Sequence, residues 1–581
     1  MQKPVKVAVF GVLAVSLLAS GCSRVGDSGS GTTTSDVQAP LIVDFAGDVK
    51  GPAAAPPGAR AGGTITVLKE AGFEHLCPQQ IYVSDALAHG QLFHRTLTGY
   101  VEAPNNQGPL KLVGDLATNA GETTDNGKTW KYTLRDNIKF EDGAPITSKE
   151  IALGLARSFG DLGVQGTQYF QSMVDPDRAY KGPTADNPLP PGVTTPDAKT
   201  IIITLPEANA SIPYLMAFPL STPVKSHTDT PEGCDTNVVS TGPYKFKEYQ
   251  KDTKLVLEKN TNWDAGSDPI RTQYPDQIVF EFGPDPVAQT NRLEAATPGG
   301  EDGSALMDAN VAPELISKIK QNSAVMPRVH SSSTPFVSYM YINTSRVTDL
   351  KVRQALNYSL NRDALIKAYG GFDVAQPATT LLAPVVPGYK AYDAYKPASA
   401  EGDVEKAKEL LGGKAPRLRI CFANTALNQT IAATNMAAWG RAGFTFAQNP
   451  IDAGTYYTTV GKKNTECDLI AGGWAQDWPD PESTLGVLVD GSKIVDEGNN
   501  NLAYFNDPGI NAKLAELRAM TDRGAAAAQY GALDEKIMTE FAPVIPLRYI
   551  RNFTIAGPDI KNTWQSPLWA HFSLVTAYVG A

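Results

Sequence analysis

The 581-residue sequence holds only six histidines and five cysteines. No two cysteines stand as C-x-x-C and no two histidines as H-E-x-x-H, which removes the common zinc-site spacings. Neither G-x-S-x-G nor a glycine-rich phosphate loop occurs, so nucleophilic hydrolysis and nucleotide chemistry have no motif to rest on. His89 and His94 stand i, i+5 on an expected helix and do not share a face, so both read as structural. No Lys/Arg-rich run is present, and 51 basic against 61 acidic residues give a formal charge of −10. A nucleic-acid partner ordinarily needs the reverse balance. No enzyme chemistry, cofactor, metal or nucleic acid is therefore expected. Apolar residues at 42% and charged residues at 19% describe an ordinary globular chain. Its length allows roughly four units of about 150 residues.

A membrane-spanning run is missing too. Residues 7–18 are an apolar stretch of a dozen behind Lys3 and Lys6, whereas a bilayer-spanning helix needs about 20. Such a segment reads as an export signal. It leads into Leu18-Ala19-Ser20-Gly21-Cys22, which resembles the lipobox of bacterial lipoproteins, with Ala19 where that motif favours leucine. The resemblance implies a signal peptide over 1–21 and a lipidated Cys22 that anchors the chain to the outer face of the cell membrane. Residues 22–62 turn Gly/Ser/Thr-rich and then Pro/Ala-rich, with Phe45 as their one aromatic. That composition predicts a flexible tether. The serine-protease-like run Gly26-Asp27-Ser28-Gly29 lies inside it, without a scaffold.

Beyond Gly63 the pattern is α/β. Strands are expected over 64–69, 130–135 and 200–205, a helix over 84–97, and an Asp-Gly turn at 142–143. Thr147 or Ser148 starts a helix, with Glu150 placed to satisfy free amides in its first turn. Strand 418–422, helix 425–441 and strands 445–448 and 468–472 make a βαβ-type run. Ligands of such sheets sit outside the carboxyl ends of the strands. There, over 467–482, the chain reads C-D-L-I-A-G-G-W-A-Q-D-W-P-D-P-E. An apolar run ends in two glycines and breaks into Trp474, Asp477, Trp478, Asp480 and Glu482. This loop is read as facing a captured solute, with Asp477 holding a positive charge on it; the plain alternative is a turn made by Asp-Pro pairs. Trp474 and Trp478 either wall a cleft or pack in a core. Asp480 and Glu482 read as solvated or helix-capping rather than ligating.

Three stretches carry a family resemblance. Tyr132-Thr133-Leu134-Arg135, Lys139-Phe140 and Asp142-Gly143-Ala144-Pro145-Ile146-Thr147 make the first. Thr241-Gly242-Pro243-Tyr244 is the second. Asn343, Val352-Arg353-Gln354-Ala355-Leu356 and Asn361-Arg362 make the third, with Asn361 in place of the usual aspartate. In order and spacing they are similar to the oligopeptide- and dipeptide-binding solute-binding lipoproteins of ABC importers. The resemblance implies a two-lobed, type II periplasmic-binding-protein-like clamshell with an extra α/β domain inserted in lobe I. Carried over, lobe I is 63–100, 208–335 and 546–581, the inserted domain 101–207, and lobe II 336–545. Hinge strands fall near 331–339 and 542–547. The implied role is monomeric capture of short peptides and delivery to a membrane ABC permease. A non-peptide solute (a sugar or metal chelate) or a sensor without transport is the alternative.

The same resemblance implies site residues. Leu76-Cys77-Pro78 aligns with the family's L-D-P, so Tyr82, Val83 and Ser84 would offer main-chain groups to an extended ligand. Gly473-Trp474-Ala475-Gln476-Asp477 aligns with its G-W-x-x-D segment, in which the aspartate pairs the peptide's α-amino group. Gly473, Trp474 and Ala475 would lie along the ligand backbone. Backbone and termini are what all peptides share, so strand addition holds them without reading side chains. Four cysteines remain after Cys22, and the map favours Cys77–Cys234, both beside the cleft, and Cys421–Cys467, on neighbouring strands. Arg328, Arg346, Arg417, Arg548 and Arg551 compete for the ligand carboxylate, and no motif chooses among them.

Overall fold

The computed structural model describes residues 39–225 and 230–580. The expected signal peptide and Cys22 lie outside them. Two large sheets carry the architecture. A five-stranded sheet is ordered Ala305–Met307, Thr64–Lys69, Gln277–Phe282, Lys254–Lys259, Tyr244–Gln250. A six-stranded sheet is ordered Ala375–Pro377, Val544–Ile555, Val329–Ile342, Leu469–Ala475, Arg417–Ala423, Thr445–Ile451.

The six-stranded sheet is buried on both faces, and its sequence shows why. Tyr339, Tyr341, Cys421 and Ile470 enter one apolar cluster with the helices Glu482–Leu488, Pro508–Ala519 and Arg523–Phe541. Their neighbours Met340, Ile342, Ile420, Phe422 and Leu469 enter another with Leu350–Tyr358 and Ala426–Gly440. Side chains alternate across a strand, so near-continuous apolar runs need a helical layer on each side.

The two longest strands join the lobes. Val329–Ile342 and Val544–Ile555 pair antiparallel from Val329↔Ile555 down to Tyr341↔Val544. At one end Phe553 and Ile555 pack with Leu68 and Met307 of the first sheet; at the other Ile545 and Leu547 pack in the second lobe. The ladder breaks between Ser333 and Val337 and again between Ser338 and Tyr339. Prolines explain both places: Pro335 and Pro546 lack the amide hydrogen a ladder needs. Thr334 Oγ1 restores one bond across the first break, donating to Ile550 O at 2.8 Å.

Residues 101–207 hold a three-stranded sheet, Thr129–Thr133, Thr200–Thr204 and Val193–Asp197. Its Trp130, Tyr132 and Ile203 belong to the same apolar cluster as Ile65 and Phe280 of the five-stranded sheet, so this segment shares a core with its host lobe. Thr147 makes the capping box with Glu150 at the start of Ser148–Arg157.

Two expectations are corrected. From residue 39 the supposed tether is fixed to the fold. Val43–Phe45 pairs in parallel with Leu110–Leu112, Leu41 N donates to Val385 O, and Arg135 Nη2 donates to Val49 O at 2.6 Å. Backbone pairing holds the segment together with its few apolar side chains: Leu41 and Val43 pack on the core and Phe45 meets Tyr214 edge-on at 5.3 Å. The helix expected over 84–97 closes as Ser84–Gly90; after Gly90 the chain turns, with Leu92 N bonding His89 O and Phe93 N bonding Gly90 O.

Candidate functional site

The strand Leu469–Ala475 makes the site. On one side it pairs along its length with the long hinge strand, Gly473 opposite Ser338 and Ala475 opposite Phe336. On the other side, pairing with Arg417–Ala423 stops at Cys421↔Ile470. Residues 472–475 therefore present an open backbone edge, the template for an added strand. Gly473 is fixed by its neighbour: a Cβ there would stand 2.8 Å from Val337 O.

That edge borders a cavity of about 430 Å³ whose lining includes Tyr82, Val83, Ser84, Gly473, Trp474 and Asp477. Ala475 lines it too. The structure thus brings together all seven residues that the sequence singled out, from two segments almost four hundred positions apart. Val83 is 45% exposed and presents apolar surface to the cleft. Trp474 is half-buried and tethered by Nε1 donating to Ser483 O at 2.9 Å. Gln476 lines the cavity although it is 3% exposed, and neither end of its amide has a partner within the described protein. A buried amide without partners is unfavourable by about 1–3 kcal/mol.

Asp477 lies at the end of this edge, half-buried and open to the cavity. Tyr82 Oη donates to its Oδ1 at 2.8 Å and Tyr169 Oη to its Oδ2 at 2.5 Å. Burial pushes the carboxyl up to about 7, while the two hydroxyls pull it the other way. Two neutral donors and, among the described residues, no cation leave the carboxylate under-compensated, the state in which an arriving ammonium gains most. Tyr82 was expected to act through its main chain, but its hydroxyl is what touches Asp477. Tyr169, from residues 101–207, carried no signal in the sequence; it stands out only once the fold brings it here.

The rest of the loop is structural. Trp478 is 2% exposed in the first-lobe core, edge-on to Tyr169 at 5.0 Å. Asp480 and Glu482 are not solvated, as had been expected, but buried. Arg523 grips Asp480 through Nε and Nη2, both at 2.7 Å, and Arg518 Nε bonds Glu482 at 2.7 Å. Their cations sit about forty residues downstream, beyond the reach of local pattern. Asp480 Oδ1 also accepts from Glu482 N, ahead of the helix Glu482–Leu488, whose N-cap position is Pro481.

Cys77 is disulfide-bonded to Cys234, and Cys421 to Cys467. The first bridge lies behind the segment that carries Tyr82. There Asp235 Oδ1 accepts from the amides of Leu76 and Cys77 at 2.7 and 2.8 Å. Among the described residues, one cluster has metal-like spacing: His89, Asp308 and His571. Lys69 Nζ already bonds Asp308 at 2.7 Å, so a positive charge occupies that carboxylate. No helix among the described residues is long and apolar enough to cross a membrane.

Comparison with known proteins agrees with this geometry. Residues 111–495 match the family model of bacterial extracellular solute-binding proteins, family 5. Heme-binding protein A of Haemophilus influenzae is 28% identical over 481 residues, spanning 77% of this chain and 80% of that protein. The periplasmic oligopeptide-binding protein OppA of Escherichia coli K12 is 25% identical over 491 residues, 79% of this chain and 84% of that one. The solved structure of clavulanic acid biosynthesis oligopeptide binding protein 2 superposes with a TM-score of 0.83 at 28% identity, covering 92% of this chain and 99% of that one. The shared fold is the two-lobed type II clamshell. With about two thirds of its length matched by the family model, the chain belongs to the bacterial extracellular solute-binding proteins, family 5, which bind solutes rather than transform them.

Proposed function

We propose that this protein captures short peptides in the interlobe cavity and hands them to a membrane ABC permease, tethered to the outer face of the membrane by lipid on Cys22. The observation that carries the reading is Asp477, a half-buried carboxylate facing the cavity, partnered among the described residues by hydroxyls and no cation. It sits at the end of an open strand edge. The peptide's ammonium lies on Asp477, and its backbone continues the sheet along residues 472–475. OppA is named for oligopeptides, which supports this class of ligand.

A second reading follows from the relative named as a heme-binding protein. Haem brings carboxylates and no ammonium, so it makes no use of Asp477. Calorimetry with a peptide library against wild type and Asp477→Ala separates the two. Peptide binding that weakens by roughly 10- to 150-fold in the variant supports the proposal. Peptides that ignore the substitution, or that never bind while haem does, overturn it. Unchanged peptide uptake after loss of the cognate permease would leave capture standing and refute delivery.

A further inference from the structure

A second cavity, of about 470 Å³, shares no lining residue with the interlobe one. Its size falls in the range of small-molecule sites, about 300–1,000 Å³. Ala53 to Pro57 make one wall, and parts of 100–111 and of the C-terminal segment, Trp564 among them, make the others. The first wall is pinned at both ends. Ala53 N donates to Asp268 O at 2.9 Å, and Tyr578 Oη donates to Pro57 O at 2.9 Å.

Two charged residues line this cavity, Lys111 and Glu102. Lys111 is exposed, whereas Glu102 is half-buried. The Glu102 carboxylate is fixed by two neutral groups: Trp564 Nε1 donates to Oε2 and Ser566 Oγ to Oε1, each at 2.9 Å. Burial pushes this carboxyl up while the two donors pull it back, and among the described residues no cation pairs with it. Three other acids show the usual compensation for burial. Asp115 is gripped by Arg95 and Arg271, each at 2.8 Å, and Asp480 by Arg523 at 2.7 Å. Asp534 takes the amides of Leu381 and Leu382 and the hydroxyl of Tyr392. A carboxylate accepts about four hydrogen bonds, so Glu102 keeps capacity for about two more.

The walls themselves favour a donor. Pro56, Pro57, Pro104, Pro109 and Pro269 all line the cavity, and proline brings a carbonyl without an amide hydrogen. Tyr100 and Trp564 add aromatic surface, which attracts cations rather than anions. Glu102 thus repeats the arrangement at Asp477: one neutral donor on each oxygen, no cation among the described residues, and a cavity alongside.

We propose that this cavity is a second binding site, separate from the cleft, for a small organic cation. The ligand is a primary amine or amidine with an apolar body, its charged head on Glu102 and its body against the alanine–proline wall. Occupancy also pins residues 53–57 to the fold. The site stands whatever the cleft holds. Calorimetry at pH 8 with phenethylamine, benzamidine and neutral 2-phenylethanol tests it on Asp477→Ala protein, in which the cleft carboxylate cannot answer for the amine. Both cations should bind roughly 10- to 150-fold more tightly than the alcohol. Adding Glu102→Gln should erase that preference, with thermal melts showing that both variants fold. Hydrogen exchange over residues 53–55 should slow when phenethylamine is bound, and should not respond to it after Glu102→Gln. Cations that bind no better than the alcohol, that ignore Glu102→Gln, or that bind only when Asp477 is present would overturn the proposal. So would slowed exchange at 53–55 with polylysine but with neither small cation, which would make the occupant a side chain of a partner protein.

Discussion

Protons and ligand should compete for Asp477. The carboxyl is pushed up to about 7 by burial, and only its ionised form can pair an ammonium. At pH 7 the empty site is about half ionised and at pH 5 about one hundredth, so peptide affinity should fall roughly 50-fold between them, about 2.3 kcal/mol. Binding at pH 6 should release close to one proton, read by calorimetry in buffers of different ionisation enthalpy. The empty protein carries the opposite sign. Because the folded pKa lies above the unfolded value of about 3.9, this group's contribution is most favourable below pH 4 and is lost as pH rises toward 7. The loss is at most about 4 kcal/mol, and ligand restores part of it. Asp477→Asn should flatten both profiles while weakening binding by roughly 10- to 150-fold at pH 8. An affinity unchanged from pH 5 to pH 7, with no proton released, would refute the reasoning.

Three further outcomes follow from the same geometry. Tyr169→Phe removes a hydroxyl that holds the Asp477 carboxyl down, so the midpoint of the pH profile should move upward; an unmoved midpoint would deny that contact a role. Asp480→Ala strands the buried Arg523 and should lower urea stability by roughly 3–5 kcal/mol, whereas a loss below about 1 kcal/mol would place that pair at the surface. Replacing Cys421 and Cys467 with serine opens a loop spanning 46 residues and should lower stability by about 4 kcal/mol in the chain-entropy account; an unchanged urea midpoint would argue against the bridge.

Much of the site was legible because it follows from local pattern. The apolar run at 469–471 marks a buried strand, and Gly473-Trp474-x-x-Asp477 stands toward its carboxyl end, where α/β sheets bind ligands; the strand itself continues to Ala475, past the expected 472. Near-continuous apolar runs over 339–342 and 420–422 likewise mark strands of the six-stranded sheet, which helices cover on both faces. What stayed hidden depends on distant partners. Asp480 and Glu482 look like surface acids until Arg518 and Arg523 arrive from two later helices. Tyr169 is an unremarkable tyrosine until residues 101–207 fold against the cleft. Residues 39–62 read as a tether because what docks them, one short strand pairing and three apolar side chains, Leu41, Val43 and Phe45, is too sparse to register in a Pro/Ala-rich composition.

The most direct test compares one tetrapeptide with a free amino terminus and its N-acetylated form, titrated into wild-type protein at pH 7. The account predicts that the free amine binds and that acetylation weakens it by roughly 10- to 150-fold. Equal affinity for the two forms would contradict it.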